Sequence, residues 1–195
     1  MGESSTRAPA RERLLDAAEE LCSQRGITAT GVDAVLRRAQ VAPATLYAHF
    51  AGKDHLVAGY LQRRHERWRA TWDDALQRAG DDPDERALSL FDALEEFPRA
   101  QERARGCAFL AAAVEITDPG HPAHQWLAAD TRLLDDRLHA LATATGAADP
   151  AALATELFLL YDGVLAARTR RTLTGTDRPT PTRTLAAAAI ARHRG

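Results

Sequence analysis

The chain is poor in cysteine, with only Cys22 and Cys107 in 195 residues. Two thiols cannot build a cross-linked scaffold, so a reducing compartment is the expectation. Aromatic residues make up only 6 %, methionine occurs once, and lysine occurs once, at Lys53, although basic residues number 25. With 27 acidic residues the net charge is −2, so no bulk basic excess points to a polyanionic partner. No unbroken apolar run approaches the ~18 residues of a bilayer span. The polar start, Met1 to Arg7, lacks the hydrophobic segment of a secretory signal. Alternating β-branched and aromatic runs are missing, which removes strands from the expectation. A cytoplasmic chain with no membrane association, cofactor or metal is expected.

Alanine is the commonest residue, leucine and arginine are abundant, and these with glutamate favour helices. The spacing predicts an all-α protein of about nine helices. The first covers about 10–25, with Leu14, Ala17, Ala18, Leu21 and Cys22 as one apolar stripe and Gly26 as a left-handed cap. Short helices follow over about 31–39 and from Pro43 to Phe50. A long one runs over about 54–77 with Asp54 as N-cap, and further ones over about 84–97, 101–116, 123–143, 151–171 and 183–192. Three segments are expected: a tail over 1–9, a small three-helix unit over 10–53 and a larger helical domain over 54–195.

The link Ala39-Gln40-Val41 between two short helices has helix-turn-helix spacing, in which the second helix enters the DNA major groove. The outward positions of that helix are Pro43, Ala44, Thr45, Tyr47, Ala48 and His49, with no carboxylate among them. The string Ala44-Thr-Leu-Tyr-Ala-His-Phe50, followed by Lys53, Asp54 and Leu56, resembles the recognition helix of the tetracycline-repressor (TetR) family of bacterial transcription regulators. Leu15, Ala18, Leu21, Gly26, Thr30, Val32, Val35, Ala39 and Val41 fit the same pattern upstream, so the resemblance is detailed over about 10–60. It implies that Thr45, Tyr47, His49 and Lys53 reach phosphates. Pro43 and Ala44 can approach base edges. Thr30 and Arg37 complete the expected DNA contacts. Three positions depart from the family pattern: Gln40 replaces the usual turn glycine, Gly31 replaces a Ser/Thr cap, and Asp33 stands where a basic group is common. A left-handed Gln40 costs about 1 kcal/mol.

The resemblance further implies a homodimer that binds operator DNA, is released by a small-molecule effector, and is not an enzyme. Trp68, Trp72, Phe91, Phe97, Phe109, Trp126, Phe158 and Tyr161 are read as lining an effector cavity or as plain core. Glu115 and Asp162, on mainly apolar stretches, are candidate polar contacts there. Leu153, Leu157, Leu160 and Val164 on one helix, with Leu185, Ala188, Ala189 and Ile190 on another, are expected to form the dimer's four-helix bundle. Two rival readings stay open. His121 and His124 near Glu115 could hold a metal ion, for sensing or for a metal-dependent enzyme, and Cys107 beside Arg103 and Arg105 could act as a thiolate sensor. Up to Lys53 the chain has seven basic and six acidic residues, and beyond it eighteen and twenty-one. Charge asymmetry is therefore slight, and the lone lysine stands where the motif requires one.

Overall fold

A computed structural model describes residues 8–97, 107–174 and 181–194, without the side chains of 171–174. Among the described residues every regular element is helical: α1 (Ala10–Arg25), α2 (Val32–Ala39), α3 (Pro43–His49), α4 (Lys53–Arg78), α5 (Pro83–Glu96), α6 (Ala108–Glu115), α7 (His124–Ala144), α8 (Pro150–Thr174) and α9 (Thr182–Arg194). The all-α expectation holds. The expected start of the sixth helix at Gln101, together with Arg103 and Arg105, lies outside the described residues. So do most of the N-terminal tail and most of the loop before α9.

Helix ends follow local chemistry. Pro83 occupies the first turn of α5, and Asp82 caps it by accepting from the Asp84 and Glu85 amides at 2.9 and 3.4 Å. Asp54 does not cap α4. Gly52 stands at that N-cap, and Asp54 sits in the first turn, where its carboxylate favours the positive helix end. Gly26 ends α1 at φ 93° and ψ 161°, a glycine-only conformation but not the left-handed helical one expected. Its amide still bonds the Cys22 carbonyl at 2.9 Å.

Two apolar clusters divide the interior. The first joins α1, α2 and α3 through Leu14, Leu15, Leu36, Leu46 and Phe50. It closes only with Leu56, Val57, Tyr60 and Leu61 of α4 and Phe109, Ala112 and Ile116 of α6. The first two turns of α4 therefore belong to the N-terminal core, past the boundary expected after Lys53. Gly59 permits this closeness: a Cβ there would stand 3.0 Å from Phe50 Cε1 and 3.4 Å from Leu15 Cδ2. The second cluster packs α4, α5, α7, α8 and α9 around Trp72, Leu90, Leu138, Leu153 and Leu157.

The α8–α9 pair corrects one expectation. Leu153, Leu157, Val164, Ala189 and Ile190 are buried in the protomer's own core, and Leu160 packs against it. The five buried side chains have no surface left for a partner, whereas Leu160 is half-buried. The exposed face of α8 is instead Ala152, Thr155, Leu159, Gly163 and Ala166, with Leu159 64 % exposed. Leu185 and Ala188 are exposed beside it on α9. By length and composition α8 could cross a membrane, 21 residues at mean hydropathy 1.3. Here one of its faces packs into the second cluster. α9 is fastened by Arg194, which bonds Asp84 at 2.6 Å and the Thr145 carbonyl at 2.8 Å.

Candidate functional site

The turn between α2 and α3 is set by the backbone. Gln40 adopts φ 54° and ψ 53°, the only positive φ at a non-glycine residue among those described. Its amide bonds the Arg37 carbonyl at 3.3 Å, and the Val41 amide bonds the Leu36 carbonyl at 3.2 Å, closing α2 in a Schellman arrangement. Pro43 then starts α3 with its φ already helical. Leu46 and Phe50, four positions apart, are buried in the first cluster and fix which face of α3 points out.

That outer face carries Pro43, Ala44, Tyr47, Ala48 and His49, all exposed, and Thr45, half-buried. Tyr47 is 63 % exposed, an uncommon position for a phenol ring without a partner. Arg37 is exposed on α2. Its neighbour Arg38 pairs with Glu20 of α1 at 2.5 Å, so it braces the unit. Thr30 must be removed from the interface. It is buried, and its hydroxyl donates to the Gly26 carbonyl at 2.7 Å.

Lys53 at the start of α4 donates from Nζ to the Thr28 carbonyl at 3.2 Å. The Thr28 amide donates to Glu115 Oε2 at 2.8 Å. The loop between α1 and α2 is thus held on one side by the recognition unit's lysine and on the other by the last residue of α6. Glu115 does not stand among the effector-region aromatics. Its Oε1 lies 2.9 Å from where a Cβ on residue 26 would be, which explains the glycine there. A cavity of about 340 Å³ opens at this junction, lined in part by Cys22, Ile27, Tyr60, Cys107, Ala111 and Glu115.

Burial raises both thiols, Cys22 against a hydrogen bond from Thr30, and Cys107 against a backbone bond from Leu110. A raised thiol holds less thiolate at neutral pH, contrary to what the sensor reading requires. The metal reading also loses its ligands to local bonds. His121 Nδ1 accepts from the Ala123 amide at 3.1 Å, while Nε2 faces Asp54 at 3.4 Å. His124 Nε2 bonds the Asp118 carbonyl at 2.8 Å.

The aromatic residues separate into core and potential site. Trp72 is fully buried, its indole donates to Ser89 Oγ at 3.1 Å, and the Arg137 guanidinium lies 4.7 Å from its ring. Phe91 is also core. Trp68 instead gathers Phe97 at 5.3 Å and Tyr161 at 5.8 Å, with Phe158 6.5 Å from Tyr161. Phe109 and Trp126 lie 6.5 and 6.0 Å from the His65 ring. His65 and Asp130 form a buried pair at 3.4 Å. Burial pushes the Asp130 carboxyl up, against the hydrogen bond and charge of His65. Asp162 is half-buried on α8, and burial raises it as well.

One network was missed from the sequence. Glu19 of α1, 7 % exposed, pairs with Arg63 at 2.9 Å, Arg64 at 3.5 Å and Arg67 of α4. Arg63 also reaches Asp16 at 2.8 Å and Glu12 at 3.2 Å. The available signal was helical spacing: acids at 12, 16 and 19 opposite arginines at 63, 64 and 67.

A two-helix reading head on a larger helical body, its second helix presenting an acid-free outer face, defines a helix-turn-helix DNA-binding protein. The family described as "Bacterial regulatory proteins, tetR family" matches residues 14–60. The HTH-type transcriptional regulator YjdC of Escherichia coli K12 is 30 % identical over 159 residues, which is 80 % of this chain and 81 % of that protein. The HTH-type transcriptional repressor KstR of Mycolicibacterium smegmatis is 41 % identical over 70 residues, 36 % of this chain and 34 % of the repressor. A TetR-family transcriptional regulator from Streptomyces coelicolor superposes with TM-score 0.80 at 30 % identity, covering 95 % of this chain and 94 % of that one. The chain belongs to the TetR family of bacterial transcriptional regulators, and its function is DNA-binding regulation.

Proposed function

We propose that the protein is a homodimeric repressor that binds a palindromic operator when empty and releases it when a small molecule occupies the effector region. The observation that carries this reading is the outer face of α3, where Tyr47 stands in solvent on a surface anchored by Leu46 and Phe50 and free of carboxylates. In this reading Pro43 and Ala44 meet base edges, while Arg37, Thr45, Tyr47, His49 and Lys53 contact phosphates. Lys53 exchanges the Thr28 carbonyl for a phosphate oxygen on binding, a stronger charge-assisted bond. The N-terminal unit then runs to about residue 61, where its core closes.

A twofold dimer sets two recognition helices about one DNA turn apart. The stripe of Leu159, Gly163 and Ala166 on α8 with Leu185 and Ala188 on α9 supports this, since its small residues allow close helix approach. The name of the KstR relative supports repression. The test is a mobility shift on the DNA flanking the protein's own gene at low salt. The expected result is a retarded complex that Tyr47→Ala with Lys53→Ala weakens about tenfold or more, in a variant that is still a folded dimer. Unchanged affinity in that variant overturns the assigned face, and no shift on any flanking segment overturns the regulator reading.

A further inference from the structure

Arg64 and Trp68 are four residues apart on α4 and therefore share a face. Both reach the same ring. The Arg64 guanidinium carbon lies 5.0 Å from the Phe97 centroid, and Trp68 meets that ring edge-on at 5.3 Å. Tyr161 closes the group from α8, 5.8 Å from Trp68. Two of these side chains have donors available to a ligand, and one of them is orphaned. Trp68, only 4 % exposed, has a buried indole N–H with no hydrogen-bond partner. An orphaned buried donor costs free energy and calls for an acceptor. The Arg64 side chain is 15 % exposed, and among the described residues its polar contact is a single 3.5 Å approach to Glu19, a carboxylate already held more tightly by Arg63 and Arg67. A guanidinium carries five N–H donors, so this one has donors that a ligand anion can take over from solvent. Asp130, a carboxylate whose charge Arg64 also feels, is taken up by His65 at 3.4 Å.

We propose that Arg64 and Trp68, with Phe97 and Tyr161 as walls, form a site for an aromatic carboxylate. The ligand carboxylate accepts from the Arg64 guanidinium and the Trp68 indole N–H, and its ring stacks among Phe97 and Tyr161. The proposal rests on the effector-region reading above and gives that region's ligand a chemical class. It also supplies a route to the DNA-binding unit. A carboxylate on Arg64 competes with Glu19 of α1, so the ligand loosens one contact between α1 and α4.

The wild-type full-length protein is titrated with 1-naphthoate, its neutral amide and 1-naphthylmethylamine, up to about 1 mM, by calorimetry and intrinsic fluorescence. The expected result is binding of the carboxylate about tenfold or more tighter than the amide, and no measurable binding of the amine. Arg64→Met is expected to lose about tenfold in carboxylate affinity, and Arg64→Lys to recover part of it. Trp68→Phe keeps the ring packing without the donor and is expected to lose several-fold. Equal affinity for carboxylate and amide overturns the proposal. So does a Trp68→Phe or Arg64→Met variant that binds 1-naphthoate as the wild type does. If the amide or amine alone binds, with the Trp68 signal responding, the carboxylate class is wrong while the effector-region reading stands. If no compound binds, the aromatic-carboxylate proposal falls, and the effector-region reading, which names no ligand class, is judged by its own mobility-shift test.

Discussion

Replacing Glu19 with alanine removes the one buried carboxylate that three arginines of α4 share. Deleting one partner of a buried ion pair costs about 3–5 kcal/mol, because the remaining charge stays in low dielectric without compensation. Here the three arginines respond differently. The Arg67 side chain is 47 % exposed and can turn to water, so its loss counts for little. Arg63, 18 % exposed, keeps Asp16 at 2.8 Å and Glu12 at 3.2 Å. Arg64, 15 % exposed, loses its only hydrogen-bonded carboxylate among the described residues. The net expectation is therefore lower, about 2–3 kcal/mol.

For a chain of this length each kcal/mol moves the melting midpoint by about 2–4 °C, so the midpoint should fall by about 4–12 °C. The assay is thermal unfolding followed by circular dichroism at one fixed protein concentration, since association would shift the midpoint by mass action. Glu19→Gln keeps the shape and loses the charge, and should fall between wild type and alanine. A fall of under about 2 °C for Glu19→Ala would falsify the claim that this network holds α1 on α4. A glutamine variant as unstable as the alanine variant would assign the effect to packing instead of charge.

Gln40→Gly removes the left-handed strain at φ 54° and should raise stability by up to about 1 kcal/mol; a lower melting midpoint would show that the Gln40 side chain contributes more than its backbone costs. The Asp130 carboxyl is raised above its ordinary 3.8, so the folded state holds that proton more tightly than the unfolded chain. That contribution is present below the ordinary value and lost as pH rises through the folded value. Asp130→Asn should therefore stabilise the protein near pH 7.5 and give less benefit near pH 4, and melting curves at both pH values showing the reverse order would contradict the sign. Both thiols are raised by burial, so iodoacetamide should label native Cys107 at less than about a tenth of its rate in the denatured chain; comparable rates by mass spectrometry would restore the thiolate reading. Glu115→Ala should speed hydrogen exchange at the Thr28 amide, and an unchanged rate would mean that the 2.8 Å bond does not hold the loop.

The fold was legible because its signals are local. Apolar spacing in α1 and the proline opening α3 each act within one or two turns. The outer face of α3 was legible for the same reason, since Leu46 and Phe50 fix it from within the helix. Asp54 misled because any acid near a helix start suits the helix dipole, and only the backbone reveals which residue is the cap. Thr30 misled because a hydroxyl at a helix entry has two uses, and burial committed it to the Gly26 carbonyl.

The apolar faces of α8 show a second limit. Leu153 and Leu157, four apart, point into the protomer, while Leu159, two positions further on, points away from it. A helix apolar on two sides has no periodic signature that tells its own core from a partner's, so the residues expected at an interface include ones that the protomer buries itself. The loop between α1 and α2 shows a third. Glu115 meets residue 28 across 87 positions, and it binds the amide of that residue, not its side chain. Lys53 likewise takes the carbonyl. Backbone groups are the same at every residue except proline, so no side chain at position 28 could have announced either bond. The two contacts nonetheless join α6 to the lysine that the motif assigns to phosphate. A shift of the α6 end by about 1 Å would stretch a 2.8 Å hydrogen bond past its useful range and release the loop that Lys53 holds.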